Sequence, residues 1–139
     1  MIFSRPTSYA VRALVCLAKS YGQGPIMGSE IAESENLPAP FLAKLMRELT
    51  SSGIVKASRG PGGGFVLGRD PQEISLWDVF IKYDGLMLAS ECLLGCGKCT
   101  EDDSCYVHSL WAEPKASLKT FLVNTSIADL AGKRSETAR

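Results

Sequence analysis

Four cysteines and the single histidine of the chain lie close together in the sequence. Thiolates and imidazoles bind zinc and iron–sulfur clusters, and neighbouring thiols can also form a redox-active disulfide. The spacing Cys-x-x-Cys followed by Cys-x-x-His is shorter than that of the common zinc modules. Spacing alone does not distinguish zinc, an iron–sulfur cluster and a thiol–disulfide switch. The candidate donors are Cys92, Cys96, Cys99, Cys105 and His108.

Charge is unevenly distributed along the 139 residues, although the whole chain is neutral, with 15 basic and 15 acidic residues. Residues 1–69 contain eight basic and four acidic side chains, whereas residues 70–110 contain two basic and eight acidic ones. This asymmetry is typical of a protein with a basic surface for an anionic partner and a separate acidic region. Hydrophobic residues make up 45% of the sequence, which indicates a globular chain rather than general disorder.

Helical periodicity in the first half of the chain predicts three helices. The first covers 9–19, is capped by Ser8 and is apolar on most sides, so we expect it to be buried. A short helix capped by Ser29 runs to about residue 35. After a proline-containing turn, a third helix runs from Pro40 to about residue 52, where Gly53 ends it. Two helices joined in this way can place the second one in the major groove of DNA.

A glycine-rich hairpin follows the third helix, with strands predicted over 54–59 and 65–67. Cations at both ends of such a hairpin can contact phosphates or the minor groove, as the wing of a winged helix does. The alternative is a small helical domain with a hairpin that binds nothing. The candidate DNA-binding residues are Ser29, Ala39, Pro40, Lys44, Arg47, Arg59, Gly60, Pro61, Gly62, Gly63 and Arg69.

The second half of the chain contains two further predicted helices and a short final turn over 126–130. One helix begins after Ser75, with Asp78 completing a capping box, and ends at Gly85. The other runs from 106 to 123, with Pro114 inside it. Its apolar side is expected to pack against a second copy of the chain, the alternative being the first helix. The candidate dimer residues are Val107, Leu110, Trp111, Leu118, Phe121 and Leu122.

These elements predict a mainly α (α+β) fold, a winged helix-turn-helix with a two-stranded wing. The predicted organisation is a DNA-binding domain at 1–84, a cysteine-rich cluster-binding loop at 85–105, a dimerisation helix with a short turn at 106–132, and a disordered tail at 133–139. Cys16 lies on the apolar first helix and is expected to be a small buried residue.

The sequence does not indicate an enzyme. It has no Ser-His-Asp set, no phosphate-binding Gly-Lys-Ser/Thr motif, and no βαβ pattern around Cys96-x-x-Cys99 of the kind that surrounds thiol oxidoreductase motifs. No apolar run is long enough to span a membrane, and the first residues lack the features of a signal peptide. We therefore expect a cytoplasmic protein with no membrane partner.

Two motifs are specific enough to compare with known proteins. They are the string Arg59-Gly60-Pro61-Gly62-Gly63-Gly64-Phe65 and the spacing Cys92-x6-Cys99-x5-Cys105-x2-His108, followed by Leu110-Trp111. With the helix-turn-helix before them, they make the chain resemble, from about residue 9 to about residue 130, the Rrf2 family of bacterial winged-helix regulators. This family includes the iron–sulfur sensor IscR and the nitric-oxide sensor NsrR.

The resemblance implies a homodimer that binds double-stranded DNA at a palindromic operator, often as a repressor. It also implies an iron–sulfur cluster that controls DNA affinity, held by Cys92, Cys99, Cys105 and His108, with Cys96 as an alternative ligand. A [2Fe–2S] cluster is favoured over [4Fe–4S], and zinc is the alternative metal. Because the family has members that sense without a cluster, a thiol switch also remains open.

Overall fold

The computed structural model describes residues 3–85 and 107–137, with side chains described as far as residue 132. Most of the cysteine-rich segment therefore lies outside the described residues. The winged-helix prediction is confirmed, because the described part is mainly helical with one two-stranded antiparallel sheet. Its elements are α1 (Arg5–Lys19), α2 (Gly28–Glu35), α3 (Ala39–Ser51), β1 (Val55–Ser58), β2 (Gly64–Leu67), a 3₁₀ turn (Pro71–Glu73), α4 (Leu76–Tyr83), α5 (His108–Asn124) and α6 (Ile127–Thr137).

Helix α1 forms the centre of the core, as its apolar sequence predicts. Ala10, Ala13 and Leu14 are completely buried. The helix begins at Arg5, four residues before the predicted start, because Pro6 suits the first turn and Ser4 takes the capping position. Ser8 consequently lies inside the helix. Cys16 is only half-buried, contrary to expectation, and its Sγ lies 3.5 Å from the Ser34 hydroxyl on α2.

The termini of α2 and α3 follow from backbone geometry more than from side-chain caps. The capping residue of α2 is Met27, and Ser29 lies inside the first turn, so the predicted Ser29 cap is wrong. Helix α3 has Pro40 in its first turn and ends one residue before Ser52. Gly53 follows with a φ of +79°, a conformation that glycine adopts without strain, and this confirms its role in ending the helix.

The wing is a hairpin in which Val55 pairs with Leu67 and Ser58 with Gly64. It is attached to the rest of the domain through a second edge of β2. Phe65 exchanges two backbone hydrogen bonds with Ile26, at 2.8 and 3.0 Å, in an isolated bridge beside the sheet. A Cβ atom at Gly64 would clash with the Ile26 carbonyl group, so only glycine allows this close approach.

Helix α4 has the capping box that the sequence predicts. The Ser75 hydroxyl accepts from the Asp78 amide at 3.2 Å, and the Asp78 carboxylate accepts from the Ser75 amide at 2.9 Å. The helix ends at Tyr83, its C-terminal capping residue is Asp84, and Gly85, the glycine predicted to end it, directly follows this cap.

Asp84 joins the end of α4 to the start of α1. Its side chain is 9% exposed, and one carboxylate oxygen accepts hydrogen bonds from the Ser4 amide at 3.0 Å, the Ser4 hydroxyl at 2.9 Å and the Thr7 hydroxyl at 2.5 Å. A buried carboxylate needs such donors because burial removes its water. The three bonds therefore fix the position of α1 relative to α4.

The two C-terminal helices share the core of the N-terminal half. Leu122 of α5 and Ile127 of α6 are almost fully buried, and Ser126 pairs with Ser75 in an isolated bridge. Helix α5 packs on α4, where the Lys119 ammonium lies 5.1 Å from the centre of the Trp77 ring, and α6 packs on α1. Residues on both sides of the predicted domain boundary at residue 84 therefore belong to one hydrophobic core.

The last helix is longer than the sequence indicates. Backbone of helical form continues to Thr137, whereas the sequence predicts a short turn over 126–130 and a loose tail from 133. Gly132 and the polar residues after it suggest an end, but the helix is anchored by the packing of Leu130 and Ala131 on the core. Among the described residues, no helix is long and apolar enough to cross a membrane.

Candidate nucleic-acid interface

Helix α3 presents one face to the solvent, and this face contains the residues predicted to contact DNA. Ala39, Pro40, Ala43, Lys44 and Arg47 are all exposed, while the opposite face of the helix is buried against α1 and α2. Positions 39, 43 and 47 are four residues apart and lie along one side of the helix. The face combines small side chains, which permit close approach to a groove, with two cations that attract a polyanion.

The tip of the wing is exposed and carries the other predicted DNA-binding residues. Arg59, Gly60, Pro61 and Gly62 are exposed, Gly63 is half-buried, and Arg69 is exposed just after β2. The sequence reasoning did not select Lys56, which is also exposed, on β1. The signal that could have identified it is a cation directly after the apolar Val55 at the start of the predicted strand. The wing thus provides a second cationic surface besides α3.

An apolar notch of about 510 Å³ separates α3 from the start of α2 and the base of the wing. Its lining includes the side chains of Ala39 and Ala43, the buried Leu42 and Met46, and the half-buried Phe65. Ser29 and Arg47 supply its polar side chains. The predicted Ser29, Ala39 and Arg47 thus line one concave surface.

The predicted metal ligands lie largely outside the described residues. This applies to Cys92, Cys96, Cys99 and Cys105, whereas His108 is the first residue of α5 and is half-buried. Within 3–85 and 107–132, no group of three or more histidine, cysteine, aspartate or glutamate side chains is placed to hold a metal ion. The ligand set therefore stays a prediction.

The apolar residues of α5 fall on two different surfaces. Leu110 is 74% exposed and Phe121 is 53% exposed, whereas Val107, Trp111 and Leu118 are half-buried. Leu122, which the sequence assigns to the dimer interface, is only 1% exposed because it packs in the core of its own protomer. It is therefore removed from the candidate interface.

Two polar residues at the end of α4 escaped the sequence reasoning. One is Asp84, described above, and the other is Tyr83, whose hydroxyl is buried near Glu48 of α3. Burial, followed by the hydrogen-bonding capacity and the negative charge of Glu48, raises the pKa of Tyr83 well above its usual value. Among the described residues, the Tyr83 hydroxyl has no partner in hydrogen-bond geometry.

Arg12 fixes the helix-turn-helix to α1. Its guanidinium donates to the Glu35 carbonyl at the end of α2, and its Nε lies 3.5 Å from the Glu35 carboxylate, which is buried. The same guanidinium lies 6.0 Å from the centre of the Tyr9 ring, which packs edge-to-face on Phe41 of α3. Although Arg12 is basic, its guanidinium is paired with Glu35 inside the domain. We therefore do not count it among the cations of the candidate DNA-binding surface.

Comparison with known proteins identifies this arrangement. The sequence model of the Rrf2 family, described as an iron-dependent transcriptional regulator, matches residues 3–133. The chain belongs to the Rrf2 family. Rrf2 proteins are transcriptional regulators whose winged helix binds DNA, and they are typically dimeric. The exposed face of α3 and the wing are therefore parts of the winged helix of an Rrf2 regulator.

Individual relatives support the family assignment over nearly the whole chain. An HTH-type transcriptional regulator from Aquifex aeolicus is 39% identical over 132 residues, which cover 94% of this chain and 91% of the relative. The HTH-type transcriptional regulator IscR of Klebsiella pneumoniae is 32% identical and is covered over 77% of its length, against 91% of this chain. The structure of CymR, the global cysteine regulator of B. subtilis, is similar with a TM-score of 0.81 and 30% identity, over 94% of this chain and 96% of CymR.

We expect Lys44→Ala and Arg47→Ala to weaken DNA binding for different reasons. Loss of a phosphate contact at Lys44 lowers affinity for all sequences and reduces the slope of log K against log salt by about 1. Loss of a base contact at Arg47 costs about 1–3 kcal/mol on the preferred sequence and relaxes specificity. Fluorescence anisotropy across a salt series measures both effects.

Lys82→Ala is the matched control, because Lys82 is an exposed cation on α4, outside α3 and the wing. It is expected to bind DNA like the unmodified protein. Unchanged affinity in both Lys44→Ala and Arg47→Ala would contradict the assignment of α3 as the reading helix.

Proposed function

We propose that this chain is a sequence-specific transcription regulator, acting as a repressor in the cytoplasm, whose affinity for its operator depends on an iron–sulfur cluster held by the cysteine-rich segment. The observation that carries the proposal is the attachment of this segment to the reading domain. The segment follows the last turn of α4, and Asp84 in that turn is bonded to the start of α1. The chain that carries the candidate donors therefore continues from a turn that is itself bonded to the central helix of the DNA-binding half.

The donor set fits an iron–sulfur cluster by its chemistry. Three thiolates from Cys92, Cys99 and Cys105 with the imidazole of His108 provide the soft sulfur and nitrogen ligands that such clusters take. His108 begins α5, so this ligand would come from a helix that packs on α4. When bound, the cluster would supply a centre whose oxidation changes the local charge. Its loss would remove the cross-link between the ligating residues. We favour [2Fe–2S] over [4Fe–4S].

A cluster-free thiol switch is the second candidate for the signal. Cys96 exceeds the three-cysteine ligand set and can pair with a neighbouring thiol as a disulfide. The similarity to CymR, the global cysteine regulator of B. subtilis, supports thiol chemistry in this fold. A structural zinc site with the same ligands is the remaining alternative.

The last turn of α4 is the proposed route from the signal to the DNA. Tyr83 lies beside Glu48 of the reading helix, and Asp84 holds Ser4 and Thr7 of the central helix. Since both residues immediately precede the cysteine-rich segment, a change in the position of its first residues acts directly on them. A coupling of about 1–3 kcal/mol, which is typical of allosteric proteins, changes affinity about 5- to 150-fold.

A homodimer on a palindromic operator completes the proposal. Leu110 and Phe121 expose large apolar side chains on the same side of α5, and the half-buried Trp111 lies next to them. Large apolar groups at the surface are commonly covered by a partner, and a second copy related by a two-fold axis buries the same patch on both chains. Two reading heads related by that axis would bind a pair of inverted half-sites.

Replacing Cys99 or Cys105 by alanine is expected to remove the visible absorption of protein purified without oxygen, together with its iron and sulfide. Each substitution deletes one proposed ligand. Cys16→Ala is the control, because Cys16 lies on α1 beside Ser34 and should leave the colour unchanged. Colour and iron that persist in Cys99→Ala and Cys105→Ala would overturn the ligand assignment. If the unmodified protein is colourless and contains stoichiometric zinc, the site is a zinc site and not a cluster site.

Leu110→Lys and Phe121→Lys are expected to shift the protein from dimer to monomer in analytical ultracentrifugation, because each places a charge in the proposed apolar interface. Val123→Lys is the matched control: Val123 is 46% exposed, and its position on α5 is nearly opposite to that of Phe121. Equal dimer stability in all three variants would exclude α5 as the interface.

A further inference from the structure

The polar side chains of the reading helix are largely committed within the protein. The Thr50 hydroxyl donates to the Met46 carbonyl at 2.6 Å, and the Ser51 hydroxyl donates to the Arg47 carbonyl at 3.0 Å. Glu48, the single carboxylate of α3, lies beside the buried Tyr83 hydroxyl. Helix α3 contains no asparagine or glutamine. Apart from the Ser51 hydroxyl, whose proton is already donated, the groups on its exposed face are two cations and a set of apolar surfaces.

This inventory restricts the bases that α3 can read. In the major groove, an adenine is held in a bidentate way by asparagine or glutamine, and the cytosine amino group needs an acceptor such as a carboxylate. Neither type is presented on the exposed face of α3. Arginine and lysine match guanine, and apolar side chains match the C5-methyl group of thymine, the apolar group that the major groove displays.

The notch beside α3 has the chemistry of a methyl receptor. Ala43 and Leu42 line it from α3, and the Phe65 ring lines it from the wing. A Cβ atom at Gly28 would lie 3.4 Å from the Phe65 ring, so glycine at this position leaves the space next to the ring open. Arg47 borders the same notch, so that a cation and an apolar concavity face the solvent side by side.

We propose that this notch binds the 5-methyl group of a thymine in each operator half-site, next to a guanine read by Arg47. The inference rests on the proposed function, because it assumes that α3 enters the major groove. Ala43 and Arg47 are four residues apart, or about 6 Å along the helix axis at 1.5 Å per residue. Successive bases on one strand rise by about 3.4 Å. The thymine and the guanine are therefore one or two base pairs apart.

Continuity with the cationic surface selects DNA as the occupant of the notch. Arg47 lines the notch, Lys44 on the same helix and Arg59 on the wing are also exposed, and these cations favour a polyanion. A thymine methyl group is small, and the alanine side chains that line the notch leave room beside α3. Burying it also removes apolar surface of Leu42, Ala43 and Phe65 from water.

The test begins with the duplex that the full-length protein selects from a random-sequence pool. Each thymine of the half-site is then replaced by deoxyuridine, which removes the methyl group and keeps the hydrogen-bonding edge. We expect one thymine position, one or two base pairs from a guanine, at which the replacement weakens binding about fourfold, the value for burial of one methyl-sized group. The other thymines should respond less.

Ala43→Ser should abolish this deoxyuridine effect, because the serine hydroxyl replaces apolar surface of the notch by a polar group. The matched control is Ala116→Ser, which should keep the deoxyuridine effect. Ala116 is exposed on α5, on a different side of the helix from Leu110 and Phe121. If the protein selects a sequence but no deoxyuridine substitution affects binding, methyl recognition is wrong and the proposed function stands. If no sequence is enriched at all, the proposed function itself fails, and this inference fails with it.

Discussion

The buried carboxylate of Asp84 determines how the end of α4 meets the start of α1. It receives three hydrogen bonds from Ser4 and Thr7 and thereby joins the C-terminal end of α4 to the N-terminal end of α1. Charge-assisted hydrogen bonds are the stronger ones, and loss of a partner in a buried position is costly. Helix α1 is the centre of the core, so the position of this carboxylate affects every element that packs on α1, including α2, α3 and α6.

The reading surface depends on a second close approach, between the wing and the chain before α2. Phe65 pairs with Ile26 through backbone hydrogen bonds, and Gly64 admits the Ile26 carbonyl. The wing is therefore not an independent hairpin, because its base has a fixed position relative to α2 and α3. This arrangement keeps α3 and the wing in a constant relation, as the proposed sequence-specific binding of DNA requires.

Much of the architecture could be predicted from the sequence because local signals were strong. Pro40, Gly53 and the Ser75–Asp78 pair mark helix ends by their own backbone and side-chain chemistry, and the glycine string after Arg59 marks the wing. The starts of α1 and α2 were misplaced because neither helix begins with a side-chain cap: Pro6 lies in the first turn of α1, and Met27 precedes α2. The length of α6 and the burial of Leu122 depend on tertiary packing, which periodicity does not encode.

The candidate interface was predictable to the extent that it consists of exposed cations and glycines. Lys44, Arg47 and Arg59 are types that local sequence places at the surface, and they lie there. The connections of Tyr83 and Asp84 were not predictable, because their partners Glu48, Ser4 and Thr7 are distant in sequence and come together only in the fold. The notch beside Ala43 is likewise formed by residues of α2, α3 and β2, so it could not be predicted from any one segment of the sequence.

Above all, we propose that the last turn of α4 transmits the state of the cysteine-rich segment to the DNA-binding elements. The most direct test is the ratio of operator dissociation constants for cluster-loaded and cluster-free protein, measured in the unmodified chain and in Asp84→Asn. Asp70→Asn is the control, since Asp70 is exposed and caps a short turn through Gln72. We predict a ratio between about 5 and 150 for the unmodified chain and Asp70→Asn, and a ratio close to 1 for a folded Asp84→Asn. A folded Asp84→Asn protein that keeps the full ratio would contradict the account.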